Sequence, residues 1–319
     1  NYFWKNFDMW LLVDFGASYV KTAVFDLEEG SIKPTACIIS PFSNECQLSL
    51  EKLDSFLIDI ANKHSECEYI LPCSIMGGGY HSGFYYSWKS NFKKHNNIDL
   101  ISGAFTKSPT FHQHADHCDN GLVDIGPLAT LSTGQIVYSN LADTECVRHS
   151  VPLTKSDYLI NLGTGSQILG SEYTHSFIPA GRAFHVFNNF FTNFGFDIFN
   201  EFKSISLKDI KDSTMTVDLN VFPESHRFVD GGYIKNIVES EFTPKHFTSS
   251  LLRCFGDQYV SILKDLEFNR LYITGGISQK LPAVVKYISN ELGKEVQVVS
   301  ATNHSTHIGM ANRLKGQLI

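Results

Sequence analysis

The chain has 319 residues, enough for two domains of ordinary size, and its 43% hydrophobic and 18% charged content excludes a disordered chain. A net charge of −7, with no lysine- or arginine-rich run, argues against nucleic-acid binding, which needs basic surface to neutralise phosphates. Seven scattered cysteines without a CxxC pair read as reduced thiols, the longest apolar runs are too short for a membrane span, and the first ten residues carry no signal-peptide pattern, so a cytoplasmic protein is expected.

Residues 11–26 (LLVDFGASYVKTAVFD) predict a strand, a tight turn and a second strand. Gly16 permits the turn, and the amides after it, around Ser18, can hydrogen-bond phosphate oxygens. The Asp14 carboxylate is suited to Mg²⁺ held through water, because magnesium takes oxygen ligands and keeps several waters. Lys21 either adds a positive charge there or is a solvated strand residue. Residues 49–64 have apolar spacing of helical period behind a Ser start. Residues 69–76 form an apolar strand ending in three glycines, where Gly79, Tyr80 and His81 are expected to line a substrate cleft.

Residues 87–120 are polar and irregular. Within them His112, His114, His117 and Cys118 have the right chemistry for zinc, but no second cluster completes a site, so a polar loop or the wall of a substrate site is expected. Residues 134–138 read as a strand approaching an inter-domain hinge, and Asp143 follows where a helix can begin. A carboxylate there serves either as a general base toward a substrate hydroxyl or as a helix N-cap.

Asn161-Leu162-Gly163-Thr164-Gly165-Ser166 follows a buried strand, and its two glycines around a hydroxyl suit a terminal phosphate, or else an ordinary hairpin. The phenylalanines at 187, 190, 191, 194 and 196 are expected to be core. A long helix over 245–266 precedes a strand at 271–274, and Gly275-Gly276-Ile277-Ser278 then leads toward a helix at 281–292. A bare backbone at a helix start can pack against adenine and ribose, or is a plain strand-to-helix turn. The motif is neither a P-loop nor a GxGxxG fingerprint. A short strand at 296–299 and a helix near 309–314 close the chain.

The order of these glycine-bearing strand ends resembles the FGGY carbohydrate kinases of the actin-like ATPase superfamily, with a shortened first domain. Residues 14–21 resemble that family's first phosphate motif, residues 125–143 its run into the catalytic Asp, residues 163–165 its second phosphate motif and Gly275-Gly276 its adenosine motif. RFVDGGYIKNI (227–237) and Ile308-Gly309-Met310-Ala311 sit where the family has glycine-bearing C-terminal features. Ala142 and Glu145 stand where the family often carries other residues, and no Trp-x-Asp-x-Arg element is present.

The resemblance implies an α/β protein of two ribonuclease H-like (actin-like ATPase) domains around a nucleotide cleft, 1–139 on the sugar side and 140–319 on the nucleotide side. It implies ATP-dependent phosphorylation of a sugar or polyol, with Asp143 as base and substrate contact and Asp14 as the Mg²⁺-associated carboxylate. ATP is held by Asp14, Gly16, Ser18, Lys21, Gly163, Thr164, Gly165, Gly275, Gly276 and Ser278 in this reading. The partner is a small molecule, with room for a homodimer and with no nucleic acid or membrane. The alternative is a catalytically weak nucleotide-binding sensor or assembly protein on the same scaffold, motivated by the shortened first domain.

Overall fold

A computed structural model describes residues 9–16, 18–43, 45, 47–74, 78–81, 84–87, 125–163, 165–221, 232–299 and 304–318. The His112–Cys118 cluster, Thr164 and residues 227–231 of the 227–237 segment lie outside the described residues. The chain divides into two compact units, Asn1–Val151 with His304–Ile319, and Pro152–Asn303.

The first unit opens with β1 (Met9–Phe15), β2 (Tyr19–Asp26) and β3 (Ile32–Ile39), an antiparallel meander. It continues with β4 (Gln47–Ser49), α1 (Leu50–Lys63), β5 (Tyr69–Ser74), β6 (Gly78–His81), β7 (Phe84–Ser87), β8 (Pro127–Thr130), β9 (Ile136–Tyr138), β10 (Leu141–Ala142) and α2 (Asp143–Arg148). Among the described residues the main sheet runs β3-β2-β1-β5-β9-β8, with β10 also on β5, and β4-β7-β6 form a separate small sheet. Strand β1 is parallel to β5, and β5 to both β9 and β10.

Alternation along β1 sorts the core. Leu11, Val13 and Phe15 are buried with Leu53, Leu57 and Ile60 of α1. Trp10 and Leu12 face the other side and are buried with Cys146 of α2 and with Met310 and Leu314 of the C-terminal helix, Ser305–Leu318. Helix α1 starts where Ser49 accepts the Lys52 N–H, as its N-cap position predicts.

The second unit repeats the pattern. It holds β11 (Asp157–Leu162), β12 (Gly165–Leu169), β13 (Thr174–Pro179), α3 (Gly181–Thr192), α4 (Ile198–Glu201), α5 (Leu207–Asp212), β14 (Thr216–Val217), β15 (Ile234–Lys235), α6 (Pro244–Leu263), β16 (Arg270–Thr274), α7 (Gly276–Lys280), α8 (Pro282–Leu292) and β17 (Val296–Val298). Its sheet runs β13-β12-β11-β16-β17, an antiparallel meander followed by parallel strands, the same layout as β3-β2-β1-β5-β9. At the start of β11, Asp157 is fully buried and Arg270 sits directly opposite on β16, with Nη2 to Oδ2 at 2.7 Å and Nε to Oδ1 at 3.0 Å. This pair, with Thr154 also donating to Asp157, holds the carboxyl down to about 2 and pins the parallel register.

Two expectations meet differences. The boundary read near 139/140 falls at Val151/Pro152, because β10 pairs with β5 and α2 packs on the C-terminal helix, which itself returns to the first unit. Of the aromatic stretch, Phe187 is buried, but Phe190 is 56% exposed because α3 buries one face only, and Phe194, past the end of that helix, is 73% exposed.

Candidate active site

Period-two alternation puts Asp14 on the same face of β1 as Trp10 and Leu12, the face covered by α2 and the C-terminal helix. Asp14 is buried. The antiparallel register sets Lys21 directly opposite, and its ammonium lies 3.5 Å from Asp14 Oδ2. The parallel register sets Cys73 beside Asp14, and the Cys73 thiol donates toward Oδ1 at 3.7 Å. Burial raises that thiol well above its ordinary range, with Cys146, Asp14 and Asp143 adding to the effect, so it stays a protonated donor.

Asp143 reaches this face through an irregular strand. The pairings Tyr69–Ile136 and Ile70–Val137 give way to Cys73–Leu141 and Ser74–Ala142, so one extra residue lies between β9 and β10. The fully buried Asn140 lies in that interval and donates from Nδ2 to Ser74 Oγ at 2.7 Å. Such bulges re-aim the chain next to functional sites. The chain then enters α2, whose N-cap is Ala142 with no side-chain cap, so Asp143 is the first helical residue and not the cap. Its Oδ1 accepts from the Thr144 N–H at 2.7 Å and from the Thr144 hydroxyl at 3.2 Å. Burial pushes the Asp143 carboxyl up to about 6, the Asp14 charge adds to the rise, and the Thr144 bonds and Lys21 oppose it.

The C-terminal helix closes the face. A Cβ on Gly309 would lie 1.5 Å from the Cys146 carbonyl oxygen, so only glycine allows that helix to approach α2 this closely. Two residues earlier, the fully buried His307 places Nε2 3.3 Å from the Lys21 carbonyl and Nδ1 3.4 Å from His304 Nδ1. Burial lowers both imidazoles, His307 to about 4.

Asp14 pairs with Lys21, and Asp143 is near enough to feel the charge of both, so two carboxylates against one ammonium leave a negative excess that suits a hard cation. Among the described residues no group of three or more His, Cys, Asp or Glu side chains is arranged to hold a metal ion.

The remaining first-unit residues are less committed to a ligand. The Gly16 N–H donates to the Tyr19 carbonyl at 3.0 Å, and a Cβ there would sit 2.7 Å from that oxygen, so Gly16 serves the turn itself. Ser18 accepts the Ser40 N–H at its carbonyl, tying the turn to the end of β3. Gly79, Tyr80 and His81 lie on β6, opposite Tyr86, Tyr85 and Phe84 of β7, and their side chains are outside the described residues.

In the second unit, Gly163 and Gly165 flank the turn from β11 to β12, with the Gly163 N–H on the Gly165 carbonyl at 3.2 Å. Nothing lies within 4 Å of a Cβ built on Gly165, so packing does not demand glycine there. Gly275 is different. It has φ +97°, and a Cβ would meet the Leu162 carbonyl oxygen at 2.3 Å. Glycine is therefore what lets the β16 turn pass against the end of β11. Gly276 opens α7, and the Ser278 hydroxyl donates to the Gly275 carbonyl at 2.7 Å, closing the turn.

Sequence reasoning missed Cys73, Ser74, Asn140, Thr144, Cys146, His304 and His307. The histidines left one usable signal, their i, i+3 spacing at a helix start, which puts both on one face.

No family model matches the chain, and no curated protein sequence matches it. Its fold does have relatives. Xylulose kinase from Bifidobacterium adolescentis is 11% identical with a TM-score of 0.63, the alignment covering 97% of this chain and 92% of that one. Gluconate kinase from Lactobacillus acidophilus is 10% identical with a TM-score of 0.58, covering 98% and 90%. Glycerol kinase from Plasmodium falciparum, solved with ADP, is 10% identical with a TM-score of 0.54, covering 98% and 90%. The chain thus shares the fold of these sugar and polyol kinase structures over nearly its whole length.

Proposed function

We propose that this protein is a Mg²⁺- and ATP-dependent kinase that phosphorylates a hydroxyl of a sugar or polyol. The observation that carries the reading is the Asp143 carboxyl, raised to about 6 by burial and by Asp14, at the first residue of α2. A general base works best with a pKa near the operating pH, and this carboxylate is ionised at neutral pH yet basic enough to accept a proton. Asp143 takes the proton of the acceptor hydroxyl as its oxygen bonds to the γ-phosphorus of ATP. The bond from that phosphorus to the bridging oxygen breaks, and ADP departs with the electron pair.

Asp14 would hold magnesium through water, and the ion, when bound, neutralises charge on the transferring phosphoryl group. Lys21 balances the Asp14–Asp143 repulsion from across the hairpin. The glycine turns at 163–165 and 275–276 would carry the nucleotide, and the open space at Gly165 supports backbone approach by a phosphate. Among the described residues no helix is long and apolar enough to cross a membrane.

The test is ADP release with Mg·ATP across ketoses, aldoses, heptuloses and polyols. Acceptor-dependent turnover by the wild type, abolished in Asp143→Ala, supports the reading. Mg·ATP binding without turnover on any acceptor favours the sensor alternative.

A further inference from the structure

The two histidines that open the C-terminal helix have one consistent proton assignment. A backbone carbonyl only accepts, so the contact from His307 Nε2 to the Lys21 carbonyl requires hydrogen on Nε2. His307 is fully buried and, among the described residues, pairs with no carboxylate, so its ring is neutral and Nδ1 is bare. The Nδ1-to-Nδ1 contact with His304 then requires hydrogen on His304 Nδ1. A neutral His304 is left with a bare Nε2.

We infer that His304 and His307 are positioning residues for the phosphate-binding hairpin: His304 Nδ1–H donates to His307 Nδ1, and His307 Nε2–H donates to the Lys21 carbonyl. Lys21 is the residue whose ammonium pairs with Asp14, so fixing its backbone fixes where that ammonium and carboxylate meet. Gly309, two residues beyond His307, lies against the Cys146 carbonyl of α2, the helix that begins with Asp143. Less than one turn of the C-terminal helix therefore touches both the hairpin bearing Asp14 and the helix bearing Asp143. The pair sets the hairpin's position relative to the base, and that consequence rests on the kinase reading above.

Two measurements on the full chain test this. The first is the ¹⁵N spectrum of histidine-labelled protein at pH 7.5, with His304 and His307 assigned through single variants. The expected result is an Nδ1–H tautomer for His304 and an Nε2–H tautomer for His307. An Nε2–H tautomer at His304, or a doubly protonated His307, overturns the pair.

The second compares Mg·ATP affinity and turnover for His307→Leu and His307→Gln, with melting curves beside them. Glutamine can still donate to the Lys21 carbonyl and leucine cannot. We expect His307→Leu to raise the KM for Mg·ATP by ~10-fold or more and His307→Gln to restore it to within about twofold, because misplacement by an ångström costs up to two orders of magnitude. Equal behaviour of the two variants overturns the positioning role, whatever their stability. If the wild type binds no Mg·ATP, the kinase reading fails and takes the positioning role with it, while the tautomers still decide the hydrogen-bonded pair on their own.

Discussion

Asp143→Asn is expected to make the protein more stable while removing its activity. The wild-type carboxyl titrates at about 6 when folded against 3.8 in the free side chain. One pKa unit is worth about 1.36 kcal/mol, so the ionised form costs the fold about 3 kcal/mol at neutral pH before solvent screening. Asp143 is only half-buried, and allowing for that leaves about 2 kcal/mol. The sign follows from proton binding. Between pH 4 and 6 the folded state holds the proton that the unfolded state has released, so this group's contribution falls as pH rises through that window and stays low above it. Asparagine keeps an oxygen to accept from Thr144 and carries no charge. The assay is a melting curve of both proteins from pH 4.5 to 8. At pH 7.5 the variant should melt about 4–8 °C higher, given 2–4 °C per kcal/mol for a unit of this size, with the gap closing toward pH 4. A variant that melts lower than the wild type at pH 7.5, or a gap independent of pH, would refute the claim that Asp143 is held as a strained, basic carboxylate. Such a trade of stability for function is what a catalytic residue predicts and a plain helix-start residue does not.

Gly309→Ala should cost about 3 kcal/mol or more, because overpacking must separate the C-terminal helix from α2; chemical denaturation measures it, and a cost below 1 kcal/mol contradicts the packing. Gly275→Ala combines a positive φ with a clash against the Leu162 carbonyl, so it should destabilise the second unit by about 2 kcal/mol or more and weaken ATP binding, read by denaturation and calorimetry. Arg270→Ala leaves the buried Asp157 carboxylate without its charged partner and should destabilise the second unit at pH 7, with the deficit shrinking as pH falls toward 2 and that carboxylate protonates, read by denaturation across pH. In Asp14→Asn the kcat profile should have its acidic limb below that of the wild type, because the charge that helps raise Asp143 is gone; an unmoved limb disconnects the two carboxylates.

Much of the fold was legible because it rests on local rules. The 11–26 hairpin and the α1 start at Ser49 follow from alternation and capping, which act over a few residues. Asp14 and Asp143 were legible as strand-end and helix-start carboxylates. What makes Asp143 unusual was not, because its pKa depends on burial and on Asp14, 129 positions earlier in the chain. The broken strand at Asn140 was equally hidden. A fully buried asparagine reads as a loop residue until its partner Ser74 is known. His307 was missed for the same reason, since its acceptor is a backbone carbonyl in the first hairpin. Gly275 shows the converse case: the sequence marked it for nucleotide contact, and the structure adds a steric requirement independent of any ligand.

The central claim is phosphoryl transfer with Asp143 as the base. Its most direct test is ATP labelled in the γ-phosphate, incubated with Mg²⁺ and the best acceptor from the panel, with wild type and Asp143→Ala run side by side and ATP affinity measured for both. The account predicts label in a sugar or polyol phosphate ester from the wild type only, with similar ATP affinity in the two proteins. Label appearing only as inorganic phosphate, or equal ester formation by Asp143→Ala, would contradict it.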